Sequence, residues 1–456
     1  MPTTAVGIFV FGEVPVFNSL KKLFGRGDAS PDLTQAATVA SASAPSGAMP
    51  FLRREAVFDR NHRLCGHLFY LQRASLLADA GEAEQSALDE SLLSTLNASP
   101  AAWNTQQAFI PISSASLDLA AIERLKTSNI VLLIQLSHEA EAESVCEAIE
   151  RLRERGLQFG LFRQPRHPAF AKVIRQVDFA VIDIGGNEAN VARDFSAAVR
   201  ASGNERKLRL LACNVETVDD HRFCYQWHYD NFHGQFAGAP KTLVNDAASD
   251  PHKAQLLNLM RLVQGDAETS EIAAAMKLDP LLSFRVLRYL NSPALGLNHH
   301  IDSLEQALLI LGRQRLNRWL AVLLFSVREP HFGDWLLVEN ALTRGRLMEV
   351  LGEQTLPGQS HDPLFLTGIF SLLDRLLHRP IAEILDDMLL ADEIRQALID
   401  RQGPYAPLLA VAEASEDRQQ SQIGATAEMA GVDSDSVNRA LLSATAWASE
   451  VTEYWE

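Results

Sequence analysis

Cysteine is scarce in this chain: Cys65, Cys146, Cys213 and Cys224 stand far apart among 456 residues, with no Cys-x-x-Cys and no short-range pairing. Such spacing excludes a disulfide framework and a zinc ribbon. It fits a reducing compartment in which each thiol is a small buried group. Long apolar runs are missing too. A membrane-spanning helix needs roughly 20 apolar residues, and the best candidate, Ala5 to Phe17, is interrupted by Glu13 and Pro15. No Lys or Arg precedes Lys21, so the basic start of a secretory signal is lacking and a cytoplasmic location is expected. Positive charge is in short supply: the formal net charge is -16, and residues 381–456 hold 15 acidic residues against 4 arginines. That segment repels a phosphate backbone, so nucleic acid is not an expected partner for it. No Gly-x-x-x-x-Gly-Lys phosphate loop and no Gly-x-Ser-x-Gly elbow occurs.

What is present is a globular composition, 47% hydrophobic and 21% charged, long enough for two or three domains. Residues 25–50 are rich in Gly, Ala, Ser, Pro and Thr and read as a linker. Before them, Pro15 to Phe24 places Phe17, Leu20, Leu23 and Phe24 opposite Lys21 and Lys22, one or two amphipathic turns in an N-terminal arm that docks on a partner or stays unfolded, with attachment to a membrane surface as the alternative. Arg54 to Phe58 and Leu64 to Gln72 flank the turn-type cluster Asp59-Arg60-Asn61-His62 and predict a β-hairpin. Ala108–Ile112, Ile130–Leu136, Gln158–Phe162, Phe179–Ile184 and Leu208–Val215 read as buried strands, with helices over Leu117–Leu125 and Glu139–Arg155. Strands separated by helices imply parallel pairing with crossovers, and the number of units suits a barrel.

Beyond Asp250 helix-period runs follow one another: Lys253–Val263, Thr269–Met276, Leu281–Leu290, Ser303–Leu311, Arg315–Phe325 and more out to Trp455. Ser303-Leu304-Glu305-Gln306 is a capping box, and Asp279-Pro280 ends one helix and starts the next. The expected organisation is an arm and linker over 1–50, an α/β barrel over 51–245 and an all-helical domain over 246–456.

Leu211-Ala212-Cys213-Asn214-Val215-Glu216-Thr217, followed by Asp230-Asn231-Phe232-His233-Gly234-Gln235-Phe236 and Pro240, resembles the closing strands of an EAL domain. In that barrel, which hydrolyses cyclic di-GMP, the pattern runs Ala-Glu-Gly-Val-Glu-Thr and then Asp-Tyr-Phe-Gln-Gly-Tyr. Cys213 stands in a carboxylate slot and His233 in the glutamine slot. The helical half resembles an HDOD domain in Ile272 to Leu282, in Val286-Leu287-Arg288-Tyr289-Leu290-Asn291-Ser292-Pro293, in Ser303 to Leu308 and from Leu311-Gly312 to Arg315-Leu316. The whole is similar to EAL–HDOD signalling proteins, a degenerate TIM-like EAL barrel followed by an all-α HDOD domain.

The resemblance implies divalent metals held by carboxylates and an asparagine, with a lysine and a further glutamate near the attacking water, the oxygen-rich set that Mg²⁺ or Mn²⁺ requires. On this sequence Leu68 takes the signature glutamate's place and Pro111 that of the strand asparagine. Val131–Leu136 offers no carboxylate. The paired aspartates map onto Phe162 and Arg163, the lysine onto Val181, and Arg163 brings a positive charge to the metal position. Asp183 and Glu216 remain, and structural hydrogen bonds at strand ends are the simpler role for both. His361-Asp362 lies in a loop without the HD metal motif around it, and His299-His300-Ile301-Asp302 precedes a helix start that Asp302 or Ser303 caps. Ile184-Gly185-Gly186-Asn187 reads as a turn.

The expectation is therefore a chain that is not an enzyme, with no catalytic, cofactor-binding or metal residues. It would regulate through protein–protein contacts of the barrel and the HDOD module with other signalling proteins. One alternative is a cyclic di-GMP receptor without hydrolysis, for which Arg73 offers a phosphate clamp or a stacking surface. Another is a DNA-binding regulator, since Ser270 to Leu290 has helix-turn-helix character with Arg285 and Arg288 on one face.

Overall fold

A computed structural model describes residues 50–61, 63–71, 81–98, 106–125, 129–185, 189–201, 207–234, 251–279, 282–283, 286–287, 301, 303–325, 332–386, 388–416 and 422–453. The N-terminal arm with Pro15 to Phe24, the linker up to residue 49, Arg73, Gly186, Asn187, Pro240, Arg285, Arg288, His299, His300 and Asp302 lie outside the described residues.

Eight strands close into a barrel in sequence order: β1 Leu52–Asp59, β2 Leu64–Leu71, β3 Gln107–Ser113, β4 Ile130–Gln135, β5 Gln158–Phe162, β6 Phe179–Asp183, β7 Arg209–Cys213 and β8 Asn231–His233. β1 runs antiparallel to both neighbours, forming the expected hairpin with β2 and sealing against β8 through Val57↔His233 and Phe58↔Phe232. All other pairs are parallel. Between strands lie α1 Glu82–Ala98, α2 Ala120–Glu123, α3 Ala142–Arg153, α4 Phe170–Val173, α5 Ala189–Ala201 and α6 Val218–Gln226.

The strands read as continuous apolar runs because helices cover the outside while side chains fill the inside. In β4, Ile130, Leu132 and Ile134 pack outward with Leu92, Ile149 and Leu152, whereas Val131 and Leu133 point inward with Leu68, Phe109, Phe179 and Leu211. The same period of two sends Ala180 and Ile182 of β6 outward and Val181 inward. A Cβ at Gly234, where φ is 145°, would sit 2.1 Å from the Val215 carbonyl oxygen, so the end of β8 can approach β7 only as glycine.

After the barrel come α7 Pro251–Gln264, α8 Thr269–Lys277, α9 Leu304–Leu311, α10 Arg313–Leu324, α11 Phe332–Thr355, α12 Asp362–Phe370, α13 Leu373–Leu377, α14 Ile381–Asp386, α15 Asp392–Arg395, α16 Ala406–Glu416, α17 Ile423–Ala430 and α18 Ser434–Glu453. The described residues divide into two compact units, one within residues 45–250 and 325–448, the other within residues 251–324 and 449–453. In the first, helices following residue 325 extend the barrel's core: Leu442 joins the cluster around Leu52 and Leu71, and Leu336 packs against the cluster around Phe58. The Asn438 side chain accepts from the Leu52 amide at 2.7 Å and donates to the Pro50 carbonyl, while Arg53 donates to the carbonyls of Ala414 and Ser415 at the end of α16. In the second unit Ser303 caps α9 by accepting from the Gln306 amide, and Asp279 Oδ1 accepts from the Leu282 amide.

Helix starts that carry a cap give a simple stability check. Thr217 accepts from the Asp220 amide while Asp220 returns a bond to the Thr217 amide, a complete capping box on α6. Thr217→Ala is expected to cost about 0.5–2 kcal/mol, measured as a shift of the urea midpoint. Thr217→Ser should restore most of it.

Candidate functional site at the mouth of the barrel

In barrels of this kind the strands' C-terminal ends carry the chemistry. Here that rim is built from the ends of β2 to β8 and, because β1 is antiparallel, from the start of β1. The inner positions just below the rim are apolar: Leu68, Phe162, Val181 and Cys213 all belong to the barrel's interior cluster. Burial also pushes the thiol of Cys65, which packs against that cluster, up to about 12, so it stays protonated. Hard divalent ions take oxygen ligands, and these positions present carbon and sulfur instead. Among the described residues no group of three or more His, Cys, Asp or Glu could hold a metal ion. The interior side chains do not fit a carboxylate-held metal pair.

Polar groups begin one level higher. His233 is fully buried, and its Nδ1 accepts from the Asn214 amide at 3.3 Å, which leaves the proton on Nε2 to be donated to Glu55 at 2.6 Å. The other oxygen of Glu55 accepts from the Tyr70 hydroxyl. Asn214, next to this pair, has φ of 58°, a left-handed turn that asparagine tolerates. Asp183 Oδ1 accepts from the Gly185 amide at 2.9 Å at the end of β6. Arg163 lies elsewhere than the sequence suggested. Phe162 fills the inward position, so the following residue falls on the outer side and its guanidinium sits 6.0 Å from the Phe195 ring of α5.

Glu55, Glu216 and Gly234 open onto a cavity of about 660 Å³ whose far wall is α11, α13 and α16. Charged side chains dominate that wall. Arg344, buried in α11, donates to both oxygens of Glu416 at 2.9 and 2.6 Å and to Ser371 at 2.7 Å. Burial would lower its affinity for the proton, but Glu416 and Glu413 outweigh this and raise it. Arg401 pairs with Glu413 at 2.8 Å, and Arg375 lines the cavity from α13 with no ion pair among the described residues. Next to Glu55, Arg54 and His67 point the other way around the strand and both donate to Glu339 of α11, His67 at 2.6 Å. Burial pushes His67 below the ordinary imidazole value, and Arg54 adds to this against the pull of Glu339. Burial would raise Glu339, yet Arg54 and His67 hold its carboxyl at about 2.

Sequence reasoning found Glu216, Asp183 and His233 but missed Glu55, Arg54, His67, Glu339 and Arg344. The available signal was an acid and an arginine inside the apolar run of α11, at Glu339 and Arg344. His361 and Asp362 stand at the start of α12, where His361 Nε2 contacts the Leu356 carbonyl at 3.1 Å.

Residues 251–375 match the family model of the HDOD domain, so the chain carries that domain after its barrel. It is 26% identical over 312 residues to the Cyclic di-GMP phosphodiesterase CdgJ of Vibrio cholerae, covering 68% of this chain and 71% of that one. It is also 31% identical over 206 residues to YuxH of Bacillus subtilis, covering 45% of this chain and 50% of the relative. Among solved structures, that of the PaMucR phosphodiesterase in a c-di-GMP complex is similar at 16% identity and a TM-score of 0.36, over 42% of this chain and 96% of that one. The 312 matched residues far exceed the length of the HDOD match, and the resemblance to EAL–HDOD signalling proteins holds.

These comparisons correct one expectation. The expectation that the chain is not an enzyme is overturned by its similarity to a named phosphodiesterase over most of that relative's length. The physical reason is that missing ligands at Leu68, Phe162 and Val181 argue only against one way of holding metal. They do not exclude turnover. Among the described residues no helix is long and apolar enough to cross a membrane.

Proposed function

We propose that the chain acts in cytoplasmic cyclic di-GMP signalling by engaging the dinucleotide in the charged cavity at the mouth of the barrel, while the helical half contacts other signalling proteins. The observation that carries this reading is the cavity of about 660 Å³ with Glu55 and Glu216 on the barrel side and Arg344, Arg375 and Arg401 on the helical side. Cyclic di-GMP presents two phosphodiesters and two guanine edges. Guanidinium groups recognise phosphate oxygens and the acceptor edge of guanine, and carboxylates accept from guanine N–H groups. Similarity to a cyclic di-GMP phosphodiesterase supports the same ligand class.

The test is equilibrium binding and product analysis with full-length protein, cyclic di-GMP and added Mg²⁺ or Mn²⁺. Arg375 is exposed and has no ion pair among the described residues, so Arg375→Ala should leave folding intact and weaken binding at least tenfold, about 1.4 kcal/mol. Wild-type protein showing neither binding heat nor linear product at millimolar dinucleotide would sink the proposal.

A further inference from the structure

The segment Arg163-Gln164-Pro165-Arg166-His167-Pro168, between β5 and α4, serves no purpose in the cavity described above. It forms, with His138 of the preceding loop, an open recess of about 640 Å³ lined by no acidic residue. This is unusual in a chain of net charge -16. Among the described residues neither Arg163 nor Arg166 has a carboxylate partner, whereas most other described arginines of the barrel are paired or bonded to carbonyls. Arg153 holds Asp178, for example, and Arg151 holds Asp118. Glu139 and Glu141 follow His138 in sequence but do not line the recess.

The loop is held before any ligand arrives. The Gln164 side chain accepts from the Leu136 amide at 2.7 Å and donates to the Leu136 carbonyl at 3.0 Å, so its amide copies a strand pairing. His167 Nδ1 accepts from the Ala169 amide at 3.2 Å, which places its proton on Nε2, directed at the Ser137 carbonyl at 2.9 Å. Both polar side chains between and beside the arginines are thereby occupied with the backbone. Pro165 and Pro168 fix two further φ angles. Phe195 lies near the Arg163 guanidinium, its ring centroid 6.0 Å from Cζ.

We propose that this recess is an anion site, distinct from the charged cavity, that takes a phosphate group through Arg163 and Arg166, with His138 as a further donor. Two guanidiniums presented without competing carboxylates match the bidentate geometry of phosphate oxygens. A prearranged loop also loses little conformational freedom on binding. The inference goes beyond the proposed function, since the phosphate can belong to a free phosphate or to the phosphodiester of a dinucleotide.

Calorimetric titration of full-length protein with inorganic phosphate, and separately with cyclic di-GMP, distinguishes the sources. Arg166 is exposed, so Arg166→Ala keeps the fold and should weaken phosphate binding at least tenfold, with partial recovery in Arg166→Lys. Sulfate should compete and chloride at equal ionic strength should not. Loss of dinucleotide affinity in Arg166→Ala identifies the phosphodiester as the ligand. Retention there, with loss of inorganic phosphate, identifies the free anion. No phosphate binding by wild-type protein, binding unchanged in Arg166→Ala, or equal competition by chloride overturns the proposal. If Arg375→Ala abolishes dinucleotide binding while phosphate binding persists, the two sites are separate, and if wild-type protein binds phosphate alone, the cavity reading fails and the anion site stands.

Discussion

Replacing Glu339 with alanine is expected to destabilise the protein by about 3–5 kcal/mol, because it strands a buried arginine beside a buried imidazole. Glu339 is 3% exposed, and Arg54 and His67 on its two sides are 8% and 5% exposed, so the lost carboxylate leaves both donors without their buried partner. The reverse change, Arg54→Ala, leaves the buried acid with His67 alone and should cost a similar amount. The pH dependence follows with a definite sign. Glu339 falls from its ordinary 4.5 to about 2 on folding, so its stabilisation is present above pH 4.5 and is lost as pH drops towards 2. His67 is lowered from 6.5, so its neutral form is favoured in the fold and stability declines as pH falls below 6.5. Both contributions fail on the acid side. Urea unfolding followed by circular dichroism should show stability decreasing from pH 6.5 downwards, with the first part of that decline removed in His67→Gln. A loss under 1 kcal/mol in Glu339→Ala would show that this triad does not hold α11 to the barrel.

Gly368→Val should be nearly as damaging, by a mechanism with no charge in it. At Gly368 of α12 even a Cβ would stand 2.6 Å from the Cα and backbone nitrogen of Gly345 in α11, and at Gly345 a Cβ would stand 2.9 Å from the Phe365 carbonyl oxygen. The two helices meet backbone to backbone, and backbone cannot swing aside as a long side chain can. Overpacking of this kind costs about 1–3 kcal/mol, and valine, which adds two methyls beyond Cβ, belongs at or above the upper end. Gly81→Ala is the control. It has nothing within 4 Å of the added carbon and should stay within about 0.5 kcal/mol of wild type. Equal midpoints for the two variants would contradict the close crossing.

Strands β3 to β7 were legible because parallel strands buried on both faces have no polar alternation to disguise them, and the hairpin of β1 and β2 because turn residues separate two apolar runs. β8 is different. Three residues, Asn231, Phe232 and His233, carry no strand signal of their own, and only the resemblance to a closing strand pointed there. α1 went unread, since Leu92, Leu93 and Leu96 are buried within a helix otherwise dominated by polar residues. The charged cavity was illegible for a different reason: Arg54 and Glu339 are 285 residues apart, and pattern within a window says nothing about pairs at that distance. Arg163 was misplaced by one step of strand alternation, which is enough to carry a side chain from the inside of a barrel to its outside.

The bonds that tie β1 to α18 also set a timetable. Asn438 enters the chain 386 residues after Leu52, whose amide it binds. At a synthesis rate of about 5–20 residues per second this is a delay of roughly 20–80 s. During that interval β1 has β2 beside it and later β8, while the Leu52 amide, the Pro50 carbonyl and the Arg53 guanidinium wait for partners. Among the described residues the barrel's opening strand is thus the first element made and among the last to be completed, and until β8 seals against it its edge is open to chaperones, to proteases and to other nascent chains.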